Sequence, residues 1–164
     1  MIVNFSSAAA ILGVPGRSLY CASKFALEGM TEALAKEVEH WGIRVFLVVP
    51  GAFRTPFSNT CVVAKGGGSE GSVSEVYRDT PADKMVRLTK NMEAEGRLKG
   101  DPSKAAQRVV EVVDRMGMVA DADDAGLFRL FLGSDCLQAV RTKMDALGKN
   151  YAAGDAFARS TDLI

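Results

Sequence analysis

The chain alternates between short, densely apolar runs and longer stretches in which apolar residues recur every three or four positions. Ile2-Val3-Asn4-Phe5 is the first such run and stops at Ser6-Ser7, which predicts a buried strand ending in polar residues. Ala8 to Arg17 contains Gly13, Pro15 and Gly16 and reads as a loop. From Ser18 to His40, Cys21, Phe25, Leu27, Met30, Ala33, Leu34 and Val38 return at helical spacing among Glu28, Glu32, Lys36 and Glu39, and Gly42 ends the pattern. Ile43 to Val49, "IRVFLVV", is nearly all apolar, as in a parallel strand covered on both faces. Pro50-Gly51 terminates it.

Further along, Pro81 to Leu98 reads as an amphipathic helix with Met85, Leu88 and Met92 on one face. Asp101 as cap and Pro102 at the first helical position open another, "SKAAQRVVEVVDRM". The acidic stretch Asp121 to Asp124 reads as a solvated turn, and "LFRLFL" (127–132) as a third strand whose Arg129 brings one face or end to water. Ser134-Asp135 opens a final helix to about Gly148, with Leu137, Val140, Met144 and Leu147 expected on its buried side. Phe57 to Thr80 reads as a long loop in which Gly66-Gly67-Gly68 and Gly71 form a flexible linker. Strand, loop, long helix and buried strand make a βαβ crossover, so the expected fold class is α/β with a three-stranded parallel sheet flanked by helices. Residues 1–150 form one unit, and 151–164 a partly ordered tail.

Composition narrows the class of protein. With 48% hydrophobic residues and a formal net charge of zero over 164 residues, the chain reads as an ordinary soluble globular protein. It has no basic excess of the kind nucleic-acid binding requires. Its apolar runs are too short to span a bilayer, and Met1 leads straight into the first strand, so a cytoplasmic location is expected. Cys21, Cys61 and Cys136 lack CxxC spacing, which argues for reduced thiols and against a metal site. His40, the single histidine, is expected at helix-terminal carbonyls, and Trp41 as a packing residue there.

Candidate chemistry centres on Tyr20 and Lys24 in "YCASK", with Ser7 thirteen residues upstream. Residues four apart on a helix share one face. A free tyrosine has a pKa of about 10 and is a poor base at neutral pH. A lysine charge held ~7 Å away at an effective dielectric of ~20 favours the phenolate by roughly 2 kcal/mol, which brings the phenol towards proton-transfer range. Ser7 can donate a hydrogen bond to an oxygen that gains negative charge. Such Tyr/Lys pairs also occur on helices that carry no chemistry. The crossover, however, puts Ser7 and the Pro50-Gly51 turn at one carboxyl edge of the sheet, where open α/β sheets bind ligands.

The segments "IVNFSS", "YCASKFALEGM" and "GIRVFLVVPGAFRT" together resemble the short-chain dehydrogenases/reductases. The match runs over residues 2 to 57 with its elements in order. "GDPSKAA", "RLFLGSDCLQAVRTKMDAL" and "ARSTD" resemble more softly a subgroup with an extended carboxyl-terminal segment. The resemblance implies a Rossmann-like sheet and an oxidoreductase that interconverts a small-molecule carbonyl and an alcohol with NAD or NADP. It assigns Ser7, Tyr20 and Lys24 as catalytic serine, tyrosine and lysine. Tyr20, Lys24, Pro50, Gly51, Phe53 and Thr55 would lie against the nicotinamide end of the cofactor, and the 57–80 loop would cover the substrate. Ser6, beside the catalytic position, reads as structural.

The family's glycine-rich phosphate turn, ribose discriminator and catalytic asparagine have no counterpart in these 164 residues, so the expectation is a carboxyl-terminal half without the dinucleotide-binding half. Two other classes stay open on that reading: a cofactor-independent isomerase, dehydratase or cyclase reusing Ser7, Tyr20 and Lys24, and an inactive or purely binding protein. An uncovered first strand and the helix over 18–40 further predict pairing with another chain, such as a second copy.

Overall fold

The computed structural model describes residues 1–57, 74–119 and 126–163. Cys61, the glycine cluster at 66–71, most of the expected substrate loop and the acidic turn at 121–124 lie outside the described residues. Three strands form one parallel sheet: β1 (Ile2–Phe5), β2 (Val45–Pro50) and β3 (Arg129–Leu132), in that spatial order. Among the described residues the longer helices are α1 (Ser18–Val38), α2 (Pro81–Asn91), α3 (Pro102–Asp114) and α4 (Ser134–Arg159). This is the α/β architecture with helices on both sheet faces that the apolar patterning predicts.

β2 lies in the middle, and each of its residues from Val45 to Val49 is buried, the reason its sequence is continuously apolar rather than alternating. Phe46 and Val48 point to one face and pack with Leu130, Leu132 and Val112 of α3. Leu47 and Val49 point to the other and meet Cys136 and Val140 of α4. α1 covers that second face too. Asn4, level with Leu47 on β1, donates through Nδ2 to the buried Thr31 Oγ1 of α1 at 2.9 Å.

Helix boundaries follow capping chemistry. Thr80 caps α2 and Pro81 fills its first position, while the Asp101 carboxylate accepts from the Ser103 and Lys104 N–H groups ahead of Pro102 in α3. A short 3₁₀ turn after α1 closes at Gly42, whose φ of +68° is the left-handed conformation glycine adopts without strain.

Several expectations need correction. α2 stops at Asn91 instead of Leu98, and a turn with Gly96 at φ +64° follows. α4 continues to Arg159, so residues 151–159 are helical and not a tail. Of the four residues expected on its buried side, only Val140 packs into the core; Leu137, Met144 and Leu147 are more than half exposed. Length explains this. A 26-residue helix rises about 39 Å, roughly three times the span of a four-residue strand, so α4 overruns the sheet that could cover it. Trp41 is likewise exposed, touching His40 with ring centroids 3.6 Å apart. No described helix is long and apolar enough to cross a membrane.

Candidate active site

At the carboxyl edge of the sheet a cavity of about 800 Å³ opens between the strand ends, the start of α1, and helices α2 and α3. Ser7, Tyr20, Lys24, Pro50, Gly51, Phe53 and Thr55 all line it. The crossover brings them together: β1 ends at Phe5, β2 ends at Pro50, and α1 starts above them at Ser18. All seven residues singled out in the sequence therefore share one concave surface.

Ser7 caps a short 3₁₀ turn over Ala8–Ala10, and its Oγ accepts from the Ala9 N–H at 3.2 Å. Its hydroxyl proton stays available to an acceptor in the cavity. Tyr20 and Lys24, one turn apart on α1, are both partly buried. The Lys24 ammonium sits 6.0 Å from the Tyr20 ring centroid and donates to the Phe5 carbonyl at 2.8 Å. That bond uses one of its three N–H donors and ties the helix to the end of β1. Tyr20 also meets Phe57, with ring centroids 6.0 Å apart and tilted by 50°.

Ser6 adjoins Ser7 at the end of β1. It is buried, lines the cavity, and its Oγ has no hydrogen-bond partner. An unsatisfied buried hydroxyl costs about 1–3 kcal/mol, which a bound polar group could recover.

The turn after β2 is held from two sides. The Phe53 backbone bridges to Gly100, its ring covers the space a Gly100 side chain would fill, and Arg54 N–H donates to the Gly100 carbonyl at 3.0 Å. From the other side, Asp135 in the first turn of α4 accepts from the Ala52 N–H at 2.7 Å. A Cβ added to Gly51 would lie 2.3 Å from the Asp135 Oδ1 atom, so a side chain there requires the carboxylate to move. Sequence reasoning read Asp135 only as a helix opener. Nothing in a linear pattern marks a bond spanning 83 residues.

α2 is pinned over the cavity by a second unforeseen pair. Arg17, just ahead of α1, donates from its guanidinium to Thr89 Oγ1, and Thr89 in turn donates to the Met85 carbonyl at 2.9 Å. At the start of α2, the Arg87 hydrogen bond, followed by the Asp79 N–H, holds the Asp83 carboxyl below its ordinary range. Among the described residues no group of His, Cys, Asp or Glu could hold a metal ion.

Residues 1–64 match the family model described as short chain dehydrogenase. A 3-ketodihydrosphingosine reductase of Bacteroides thetaiotaomicron is 38% identical over 114 residues, covering 70% of this chain and 39% of that protein. The oxidoreductase claN of Passalora fulva is 44% identical over 96 residues, covering 58% of this chain and 41% of that protein. The crystal structure of a short-chain dehydrogenase from Streptomyces avermitilis superimposes with a TM-score of 0.71 and 30% identity, over 98% of this chain and 52% of that one. The chain thus spans about two fifths of the length of these two curated relatives.

Proposed function

Because this chain belongs to the short-chain dehydrogenase family, we propose that it carries the proton-transfer and substrate-binding part of an oxidoreductase that interconverts a carbonyl and an alcohol with NAD or NADP. The observation that carries this reading is the convergence of Ser7, Tyr20 and Lys24 on one cavity at the carboxyl edge of the sheet.

In this reading the substrate oxygen sits between the Ser7 and Tyr20 hydroxyls. Ser7 donates a hydrogen bond to it as negative charge develops. Tyr20 gives its proton to the oxygen in the reductive direction and takes one from the alcohol in the oxidative direction. Lys24, fixed by the Phe5 carbonyl, keeps a positive charge beside the phenol and stabilises negative charge left on it.

The residues at this edge fit the nicotinamide end of a dinucleotide. Two donors of Lys24 are free to meet ribose hydroxyls, the unpartnered Ser6 hydroxyl is a buried polar atom open to a ligand, and the Pro50–Thr55 turn offers backbone groups held in place by Asp135 and Gly100. When bound, the nicotinamide supplies or accepts hydride. Pairing with another chain belongs to the same reading, supported by exposed Phe5 on β1 and exposed Phe25 and Met30 on α1.

The test is turnover. Together with a chain that supplies the dinucleotide-binding half, and with NADH or NADPH and a ketone, the full chain is expected to oxidise the dinucleotide in a ketone-dependent way, and Tyr20→Phe is expected to lower kcat at least about 100-fold with an unchanged circular dichroism spectrum. Saturable dinucleotide binding with equal turnover in the variant would sink the assignment.

A further inference from the structure

Beyond the reacting oxygen, the cavity states what the rest of a substrate must be. Met85 and Leu88 on α2 and Met92 at its carboxyl-terminal cap, spaced three and four apart, line it together, and Val109 and Val110 add a wall from α3. Among the described residues three charged side chains line the cavity, each with a bond to the protein: Lys24 at the Phe5 carbonyl, Arg17 at Thr89, and Asp135 at the Ala52 N–H. None of the three belongs to α2 or α3.

A phosphate or carboxylate on the part of a substrate laid along α2 and α3 would meet an apolar wall among the described residues and lose hydration without compensation. An apolar substituent would gain at every buried carbon. The volume, about 800 Å³, lies in the upper part of the range of roughly 300–1,000 Å³ for small-molecule sites. Two methionines in that wall, with flexible and polarizable side chains, adapt to a chain that bends more readily than to one rigid shape.

We infer that the substrate is a neutral ketone or secondary alcohol carrying a long, flexible apolar chain, with its oxygen at Ser7 and Tyr20 and its chain laid along Met85, Leu88, Met92 and Val110. This rests on the functional reading above and narrows it to a substrate class.

The experiment titrates the purified full chain with 2-alkanones from 2-hexanone to 2-dodecanone and follows binding calorimetrically. Affinity is expected to rise about fourfold for each added methylene that is buried. Leu88→Gln, and Val110→Gln at a position already half exposed where folding is not at risk, are each expected to weaken 2-dodecanone at least about fivefold more than 2-hexanone. Affinity independent of chain length overturns the inference, as does a gradient that survives both substitutions. So does a preference for rigid fused-ring ketones over alkanones of equal apolar area. The functional reading fails separately: graded binding without dinucleotide-dependent turnover supports the chain-binding wall and removes the oxidoreductase, whereas turnover of every ketone at one rate does the reverse.

Discussion

The Asp135 carboxylate accepts a 2.7 Å hydrogen bond from the Ala52 N–H and at the same time occupies the space a side chain on residue 51 would need. One acidic residue at the start of α4 thus both holds the turn after β2 and crowds the space beside Gly51. A helix N-terminus that favours negative charge steadies the carboxylate there.

Gly51→Ala is expected to cost about 1–3 kcal/mol through overpacking, and Asp135→Ala about 1–2 kcal/mol through the lost hydrogen bond. In the double variant the two should not add, because removing the carboxylate clears room for the new methyl group. Denaturant unfolding of the four proteins measures that coupling. Strict additivity would show that the contact does not govern the turn.

Lys24 separates stability from chemistry. Its bond to the Phe5 carbonyl is exposed and is worth about 0.5–1.5 kcal/mol, so Lys24→Met should lower the melting temperature by only a few degrees in a chain of this size. Turnover should fall at least about 100-fold if the ammonium serves proton transfer. A parallel loss of melting temperature and activity, fully restored by stabilising solutes, would reduce Lys24 to a structural strut.

Arg129 joins β3 to α1 through Glu28 at 2.7 Å and Glu32 at 2.9 Å. The Glu28 side chain is 8% exposed and one of its oxygens already lacks a partner, so Arg129→Met leaves a buried carboxylate uncompensated. The expected cost is about 3–5 kcal/mol, largely recovered by adding Glu28→Gln. The Arg129 hydrogen bond, and then its charge, hold the Glu32 carboxyl below its ordinary value of 4.5. A depressed folded value means that this contribution to stability is complete above about pH 4.5 and is lost as pH falls through the lower folded value. Stability curves below pH 4.5 should therefore be shallower in the double variant than in the parent.

The sequence foretold much of this arrangement because the governing signals are local. An unbroken apolar run marks β2, the amphipathic pattern from Pro81 marks α2, and Asp101-Pro102 marks the start of α3. The four-residue step from Tyr20 to Lys24 predicts neighbours on α1. What escaped depends on distance along the chain: Asp135 on Ala52, Arg17 on Thr89 and Arg129 on Glu28 are separated by 83, 72 and 101 residues. The exposed stripe of α4 escaped for a different reason. Helical periodicity says which side chains share a face but not how far the sheet beneath extends.

Cys136 was read from the sequence simply as a reduced thiol, and its surroundings now make that reading quantitative. The side chain is fully buried between β2 and α4, its Sγ donates to the Val49 carbonyl at 3.2 Å, and burial, reinforced by the adjacent Asp135 charge, pushes the thiol from 9.0 up to about 11. A raised folded value makes this contribution to stability complete below about pH 9, the unfolded value, and progressively lost as pH climbs to about 11. Two measurements follow from the same shift. Mass-mapped alkylation should leave Cys136 unmodified at pH 8 under native conditions and modify it readily in denaturant. Cys136→Ala should flatten the loss of stability between about pH 9 and 11, since it removes the proton that only the unfolded chain gives up. An alkaline limb identical in the two proteins would mean that the thiol ionises as easily in the fold as outside it, and that its burial has no electrostatic consequence.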